Sequence, residues 1–249
     1  MKIGILGTGN IGKTLVQKLS VAGHDVKVAN SRGPETIDAD ILSSGAKAVT
    51  AADAIVDIDA LILSIPLDRI PGLAPLIADV SPDTVIIDTS NYYPGRDGEI
   101  APIVEGQPES EWVSAQLGRK VVKAWNAISA GSLATKGKPA GEPGRIAIPV
   151  AADSDSDRAV AMALVGDTGL DAVDAGSLAE SWRQQGGSPS YCTDLTRDEL
   201  PAALAAADAS RSGARRDLAI AVVMEKLIGD QSTTVDSEHF VRVARAIFM

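Results

Sequence analysis

The sequence has few aromatic residues for its length. They make up 3% of its 249 positions, whereas the hydrophobic types together reach 45%. The core must therefore be built from Ala, Val, Ile and Leu, a composition typical of helices packed closely on a parallel sheet. It is not typical of an RNA-binding sheet, which stacks bases on aromatic rings.

Positive charge and metal-ligating side chains are also scarce. The chain carries 33 acidic against 23 basic residues, a formal net charge of -10, and has no basic tail or stripe, so we expect no nucleic-acid partner. The single cysteine, Cys192, cannot form an internal disulfide, which fits a reducing compartment. The two histidines, His24 and His239, lie far apart without companion cysteines, so no metal site is expected.

Long apolar runs are missing as well. No run reaches the ~18 residues that a membrane span requires. The first residues, Met1 to Leu6, lead directly into a glycine-rich loop and lack the pattern of a signal peptide. We therefore expect a soluble, cytoplasmic protein with no membrane partner.

The chain does contain a regular alternation of strand-length apolar runs and helix-length amphipathic segments. Lys2–Leu6 is predicted to be the first strand, a helix is predicted from Asn10, and Asp25–Ala29 is predicted to be the second strand. Continued along the chain, the alternation predicts an α/β fold with a doubly wound, mainly parallel sheet. The further strands are predicted at 46–49, 60–65, 84–87, 120–125, 145–152 and 170–174.

Two long segments rich in Gly, Pro and polar residues, 88–107 and 130–144, are predicted to be loops. After Gly176 strand patterns stop and only helices are predicted. The chain is therefore expected to divide into a domain at 1–176 and a helical C-terminal region at 177–249. The predicted helices beyond the first lie at 34–44, 51–56, 67–79, 110–117, 155–165, 197–207, 213–228 and 238–248.

A glycine motif separates the first predicted strand from the first predicted helix. Gly7-Thr8-Gly9-Asn10-Ile11-Gly12 fits G-x-G-x-x-G, the dinucleotide pattern, and Lys13-Thr14 extends it to the nucleoside-triphosphate pattern G-x-x-x-x-G-K-T. Both kinds of loop point backbone N–H groups and a helix N-terminus at phosphate. The motif therefore predicts a phosphate site and leaves the nucleotide open.

The surroundings of the motif favour a dinucleotide. The strand–helix–strand unit from Lys2 to Ala29 has the dinucleotide-binding dimension of about 30 residues, and its helix pattern can start as early as Asn10. The alternative is a nucleoside triphosphatase that uses Lys13 and Asp88, because an apolar run ending in Asp is typical of a strand that holds Mg²⁺.

The end of the second predicted strand indicates which dinucleotide. Asn30-Ser31-Arg32 follows it, where an NAD site usually has Asp or Glu for the ribose hydroxyl. Arg32 can instead pair with a 2′-phosphate through charge-assisted hydrogen bonds, worth roughly 1.5–3 kcal/mol or about ten- to hundredfold in affinity. The sequence therefore predicts NADP(H) as the cofactor.

The segments GILGTGNIGKTL, VANSRGP, LILSIPLDRI and KAWNAI resemble those of the NADP oxidoreductases that use the deazaflavin coenzyme F420, and of related dinucleotide-binding enzymes. The resemblance extends from Met1 to about Gly176 and implies a Rossmann-type NADP-binding domain. It implies that residues of the glycine loop and of the segment after the second strand contact the phosphates. Residues after the fourth strand would lie under the cofactor, and residues after the fifth and sixth strands would contact the nicotinamide. The predicted cofactor-binding residues are Gly7, Thr8, Gly9, Asn10, Ile11, Gly12, Asn30, Ser31, Arg32, Ser64, Ile65, Pro66, Asn91, Ala124 and Asn126.

Such an enzyme transfers a hydride between NADPH and a small-molecule acceptor. Transfer to a deazaflavin requires orientation more than acid–base catalysis, whereas a carbonyl or imine needs a proton donor. Lys123 and Asn126 are the candidate catalytic residues, with Tyr92 and Tyr93 as further donors near strand ends. Burial within its predicted strand would lower the pKa of Lys123; the alternatives are pairing with a carboxylate or extension to solvent.

The tail differs from that of the deazaflavin enzymes, which end in a short apolar helical segment. Here residues 181–194 interrupt, and a further helical region follows. The acceptor therefore stays open among a deazaflavin, a flavin, a quinone and a small carbonyl or imine. Apolar stripes such as Leu218, Val222 and Leu227 predict that 177–249 serves as a lid, as the contact of a homodimer, or as both. A non-catalytic NADP(H) sensor is the remaining alternative.

Overall fold

In the computed structural model, which describes residues 1–230 and 235–249, the glycine loop lies at the carboxyl edge of a parallel sheet. Six strands form this sheet in the order β3-β2-β1-β4-β5-β6. They are β1 (Lys2–Leu6), β2 (Asp25–Ala29), β3 (Lys47–Ala48), β4 (Ala60–Leu63), β5 (Val85–Asp88) and β6 (Val122–Lys123).

Strand order reverses at β1, which pairs with β2 on one side and with β4 on the other. Ile3 is opposite Val26 in the first pair and opposite Ala60 in the second, and all these pairings are parallel. The chain therefore crosses to opposite faces of the sheet on either side of β1. Ligands of such sheets bind at the carboxyl ends of the strands beside this reversal.

A second, two-stranded parallel sheet consists of β7 (Ala147–Val150) and β8 (Asp171–Asp174). An antiparallel bridge between Lys123 and Ala151 connects it to β6, with N–H···O distances of 2.8 and 3.1 Å. The predicted fold class, a doubly wound and mainly parallel sheet followed by helices, is confirmed.

Twelve α-helices surround the strands within the described residues. They are α1 (Asn10–Val21), α2 (Ala39–Leu42), α3 (Ala51–Ala54), α4 (Ala74–Ala78), α5 (Pro94–Asp97), α6 (Ala101–Val104), α7 (Glu109–Leu117), α8 (Ala130–Thr135), α9 (Asp155–Asp167), α10 (Leu200–Ala205), α11 (Ala209–Gly229) and α12 (Ser237–Phe248). Three 3₁₀ segments lie at Pro34–Thr36, Leu67–Leu73 and Leu178–Gln184.

Two aliphatic clusters bury the two faces of the main sheet. Successive residues of a strand point to opposite faces, so Ile62 lies in one cluster and its neighbours Leu61 and Leu63 lie in the other. Each cluster contains one tryptophan, Trp125 and Trp112 respectively. The sparse aromatic content is therefore compatible with a full core on both sides of the sheet.

Several local predictions were wrong where a short capped helix or a proline interrupts the predicted element. The predicted loop 130–144 contains α8, which Ser129 caps by accepting the Ser132 N–H at 3.2 Å. The predicted loop 88–107 contains α5 and α6, each with a proline in its first turn. The helix predicted at 67–79 is a 3₁₀ segment followed by α4, since Pro71 lacks an N–H for α-helical bonding. The helix predicted at 34–44 is likewise split, into Pro34–Thr36 and α2.

Residues after Gly176 pack against the sheet-containing part rather than apart from it. Leu178 belongs to the same cluster as Trp112, while Tyr191 and Phe248 share a cluster with Ala127. The boundary at 176 stays a prediction. Within the described residues, no helix is long and apolar enough to cross a membrane, and no group of three or more His, Cys, Asp or Glu side chains could hold a metal ion.

Candidate functional site

The glycine loop turns tightly from β1 into α1. Gly7 has φ 113°, and a Cβ at this position would lie 2.1 Å from the carbonyl oxygen of Ser64. A Cβ on Gly12 would lie 2.2 Å from the Gly7 carbonyl oxygen, so helix and strand approach closely. A Cβ on Gly9, the N-cap of α1, would meet nothing within 4 Å. The helix N-terminus therefore opens onto free space, which fits a pyrophosphate bound by backbone N–H groups.

The same geometry bears on the two nucleotide patterns. Helix α1 starts at Asn10, so Lys13 already lies one turn inside it and is exposed. The Thr14 hydroxyl donates to the Asn10 carbonyl at 2.9 Å within the helix. Asp88 is fully buried and its carboxylate accepts from Lys123 at 2.6 Å. Thr14 and Asp88, which would lie near Mg²⁺ in a triphosphatase, thus make hydrogen bonds within the chain.

The loop after β2 carries the residues predicted to select NADP(H). Both ends of the Asn30 side-chain amide are used within the loop: Nδ2 donates to Thr36 Oγ1 at 3.0 Å, and Oδ1 accepts the Arg32 N–H at 2.9 Å. Ser31 and Arg32 are exposed, and the Arg32 guanidinium makes no hydrogen bond or ion pair with any described residue. Asn30 therefore shapes the loop, and the Arg32 side chain is available to a ligand.

The segment after β4 lies beside the glycine loop, as the resemblance implies. Ser64 donates its N–H to the Leu6 carbonyl at 2.8 Å. Its hydroxyl would be 3.2 Å from a Cβ on Gly12. Ile65 is partly buried and Pro66 exposed. Residues 64–66 thus border the free space in front of α1.

The segments after β5 and β6 meet through two asparagines predicted to flank the nicotinamide. Asn91 Nδ2 donates to the Asn126 carbonyl at 3.0 Å, and Asn126 Nδ2 donates to Asn91 Oδ1 at 3.2 Å. Between the buried Ala124 and Asn126, Trp125 has φ 55°, a left-handed conformation that a large side chain rarely adopts. Its indole N–H donates to Thr168 Oγ1 at 3.2 Å, which helps to hold it. The hydrogen bonds between Asn126 and Asn91 thus lie directly after this strained residue.

Lys123 is completely buried beneath these asparagines. Its Nζ donates to Asp88 Oδ2 at 2.6 Å and to the Ser90 carbonyl at 2.5 Å, and lies 4.0 Å from Glu109 Oε2. Of the arrangements considered for this lysine, pairing with a carboxylate is the one found. Burial raises the pKa of Glu109 above its ordinary value, while Lys123 opposes that shift. The Lys123 ammonium is therefore hydrogen-bonded to the Asp88 carboxylate and also lies beside the buried carboxyl group of Glu109.

Three residues of the site were missed by the sequence analysis. Gln184 Nε2 donates to Asn126 Oδ1 at 2.8 Å, and the Tyr191 hydroxyl is hydrogen-bonded to that of Tyr93. Glu109 is the third. Glu109 follows a proline at a helix start, where acidic residues are ordinary, and Gln184 lies in a segment without periodicity. No sequence pattern marks Glu109 or Gln184 as a site residue. Tyr191 could have been noticed, because it is one of only three tyrosines in the sequence.

The remaining tyrosine, cysteine and histidine side chains that the sequence offered lie as follows. The Tyr92 hydroxyl donates to the Gly98 carbonyl at 3.0 Å. Burial raises the pKa of the Tyr93 hydroxyl and of the Cys192 thiol, which disfavours a thiolate at Cys192. His24 lies 3.0 Å from Asp167 at the opposite end of α1, and His239 lies on α12.

Comparison with known proteins finds a family match over the first part of the chain. Residues 2–92 match the family model described as NADP oxidoreductase, coenzyme F420-dependent. The predicted resemblance is confirmed over that segment, and it indicates an NAD(P)-dependent oxidoreductase. A stretch of 56 residues is 55% identical to the protein YjhV of Escherichia coli (strain K12) and covers 22% of this chain and 41% of that protein.

Solved structures share the fold. The crystal structure of the protein SMa0349 from Sinorhizobium meliloti is 28% identical with a TM-score of 0.69, covering 80% of this chain and 96% of that chain. A candidate F420-dependent NADP-reductase from Arthrobacter sp. FB24 is 22% identical with a TM-score of 0.57, covering 73% and 87%. The 3-hydroxyisobutyrate dehydrogenase of Mycobacterium tuberculosis is 20% identical with a TM-score of 0.53, covering 72% and 55%. At these identities the last two support the fold alone.

Proposed function

We propose that this protein is an NADP(H)-dependent oxidoreductase that transfers a hydride between NADPH and a small-molecule acceptor. The observation that carries the proposal is the free space in front of Gly9 and Asn10, which faces a helix N-terminus. The unengaged guanidinium of Arg32 supports the choice of NADP(H), because it can pair with a 2′-phosphate.

Each part of the cofactor has residues suited to hold it. Backbone N–H groups of the glycine loop would bind the pyrophosphate, and Ser31 with Arg32 would bind the 2′-phosphate. Residues 64–66 would lie beneath the cofactor, and Asn91 with Asn126 would flank the nicotinamide. When bound, the nicotinamide supplies or accepts the hydride, and the chain contributes orientation.

We assign Lys123 to positioning rather than to proton donation. Its Nζ is fully buried, and its two hydrogen bonds hold Asp88 and the Ser90 carbonyl at the carboxyl end of β5. A carbonyl or imine acceptor would also require a proton donor. Tyr93 is the candidate for this role, since its side chain is only partly buried and its hydroxyl is hydrogen-bonded to that of Tyr191.

A screen of NADPH oxidation tests turnover directly. NADPH absorbance would be followed with a deazaflavin, a flavin, a quinone, a carbonyl and an imine as acceptors. We expect oxidation with one class, and that class identifies the acceptor. Cofactor binding without turnover of any acceptor would favour a non-catalytic NADP(H) sensor and contradict the enzymatic part of the proposal.

We further propose that two copies associate through α11. This helix exposes an apolar face, on which Leu218 is 55% and Ile228 71% accessible. Val222 lies on the same exposed side, whereas Leu227 is partly buried and less available. Exposed apolar side chains grouped on one helix face are typical of contact surfaces.

A further inference from the structure

Three side-chain amides form a closed set of hydrogen bonds at the carboxyl ends of β5 and β6. Asn91 and Asn126 bond to each other as described above. Gln184 completes the set: its Nε2 donates to Asn126 Oδ1, and its backbone carbonyl accepts from Asn126 Nδ2, both at 2.8 Å. We call Asn91, Asn126 and Gln184 the amide set. It joins the sheet to the 3₁₀ segment Leu178–Gln184.

The orientation of each amide is fixed by backbone carbonyls. A carbonyl oxygen only accepts, so Asn91 Nδ2 must face the Asn126 carbonyl and Asn126 Nδ2 must face that of Gln184. Asn126 Oδ1 then points at Gln184 Nε2. The donor of Gln184 is thus the group that completes the bonding of Asn126.

The hydrogen bonds of the Gln184 side chain are incomplete. It is completely buried, yet its Oε1 has no hydrogen-bond partner among the described residues. A buried acceptor without a partner destabilises a fold, and such groups require an explanation. Asn91, by contrast, is partly exposed and is the member of the set that a ligand can reach.

We propose that Gln184 is a positioning residue for the nicotinamide end of the cofactor site. It fixes Asn126, which fixes Asn91, and so the region after Gly176 sets the orientation of the two asparagines that flank the nicotinamide. This inference rests on the proposed function. It assigns to the C-terminal region a direct effect on cofactor binding, independent of any lid or dimer contact.

Titration of NADPH and of adenosine 2′,5′-bisphosphate, which lacks the nicotinamide, tests the inference. In Gln184→Met the donor to Asn126 is lost while the side-chain length is kept. We expect NADPH affinity to fall by about tenfold, because the Nε2 donor to Asn126 Oδ1 at 2.8 Å and to the Lys123 carbonyl at 3.4 Å is lost, and the affinity for the bisphosphate to stay unchanged. Gln185→Met is the matched control, since the neighbouring side chain does not belong to the amide set, and it should bind both compounds as the wild type does.

The outcomes are distinguishable. Unchanged NADPH affinity in Gln184→Met, or an equal loss for both compounds, would overturn the positioning role. If the wild type itself bound no NADPH, the proposed function would fail first. If Gln184→Met does not fold, Gln184→Asn replaces it, because the shorter side chain keeps the amide but withdraws the donor from Asn126 Oδ1 and should produce the same selective loss of NADPH affinity. Unchanged NADPH affinity in Gln184→Asn, or an equal loss for both compounds, would then overturn the inference.

Discussion

At the scale of single residues, the choice between NADP(H) and NAD(H) depends on the loop after β2. Arg32 is exposed there, and the Glu35 carboxylate lies against Gly33, where a Cβ would be 2.5 Å from Oε1. An arginine suits a 2′-phosphate, whereas a carboxylate suits a ribose hydroxyl. Because the Glu35 carboxylate lies against Gly33, we expect Arg32 rather than Glu35 to determine the choice.

Replacing each of these side chains in turn separates their effects. We expect Arg32→Ala to weaken NADPH binding by about ten- to hundredfold and to leave NADH binding unchanged, because the charge-assisted bonds to the 2′-phosphate are lost. Arg211→Ala, at another exposed arginine, serves as the control. Glu35→Gln should not weaken either ligand; a selective loss of NADH affinity in Glu35→Gln would show that the carboxylate selects the cofactor.

Glu109 makes stability depend on pH in a defined direction. Burial raises its folded-state pKa above the ordinary value of 4.5, so the native state holds the proton more tightly than the unfolded state does. The free energy of unfolding therefore decreases as pH rises from the ordinary pKa through the raised one. We expect Glu109→Gln to lack this decrease and to be the more stable protein at the upper end of that window. Urea unfolding across the window measures it, and parallel pH profiles for both proteins would contradict the account.

The roles of the motif glycines could be predicted from the sequence, because glycine in such a motif has a defined role. The contacts of Lys123 and Gln184 could not, because these residue types occur in many kinds of surroundings. The positive φ of Gly7 and the close approach at Gly12 follow from a motif whose glycines have defined roles. For Lys123 the sequence allowed either a carboxylate partner or extension to solvent, and it did not indicate which of the two occurs. Gln184 carried no signal, because its contact with Asn126 spans 58 positions of the chain.

At the scale of secondary-structure elements, the strands were predictable because a buried parallel strand is a short, continuous apolar run. Strands β1, β2 and β8 lie within a residue of their predicted bounds. The one-turn helices α5, α6 and α8 were not predicted, since they are too short to show a helical period and depend on a cap or a proline. Helix α11 was predicted in outline, but not which of its faces is exposed.

The exposed face of α11 yields a prediction about assembly. Leu218→Glu should reduce the sedimentation coefficient from that of two copies to that of one, because a charge would then be buried in the apolar contact. Val21→Glu, at another exposed apolar side chain on α1, is the control. Sedimentation velocity at several concentrations measures the change. If wild type and Leu218→Glu sediment alike, α11 is not the contact.

At the scale of the whole molecule, the sheet and the glycine loop come from one part of the chain and much of the site's support from another. Strand order follows from local alternation and from crossovers of one hand. The packing of Tyr191 and Gln184 against the sheet does not, because it joins segments far apart in sequence. The cofactor half of the site was therefore predictable, and its junction with the C-terminal region was not.

The central claim is that the loop from Gly7 to Gly12 binds NADP(H), and calorimetric titration of the wild-type protein with NADPH, NADH and ATP tests it most directly. The account predicts saturable binding of NADPH, about ten- to hundredfold tighter than that of NADH. Tight binding of ATP with no heat from NADPH would contradict it.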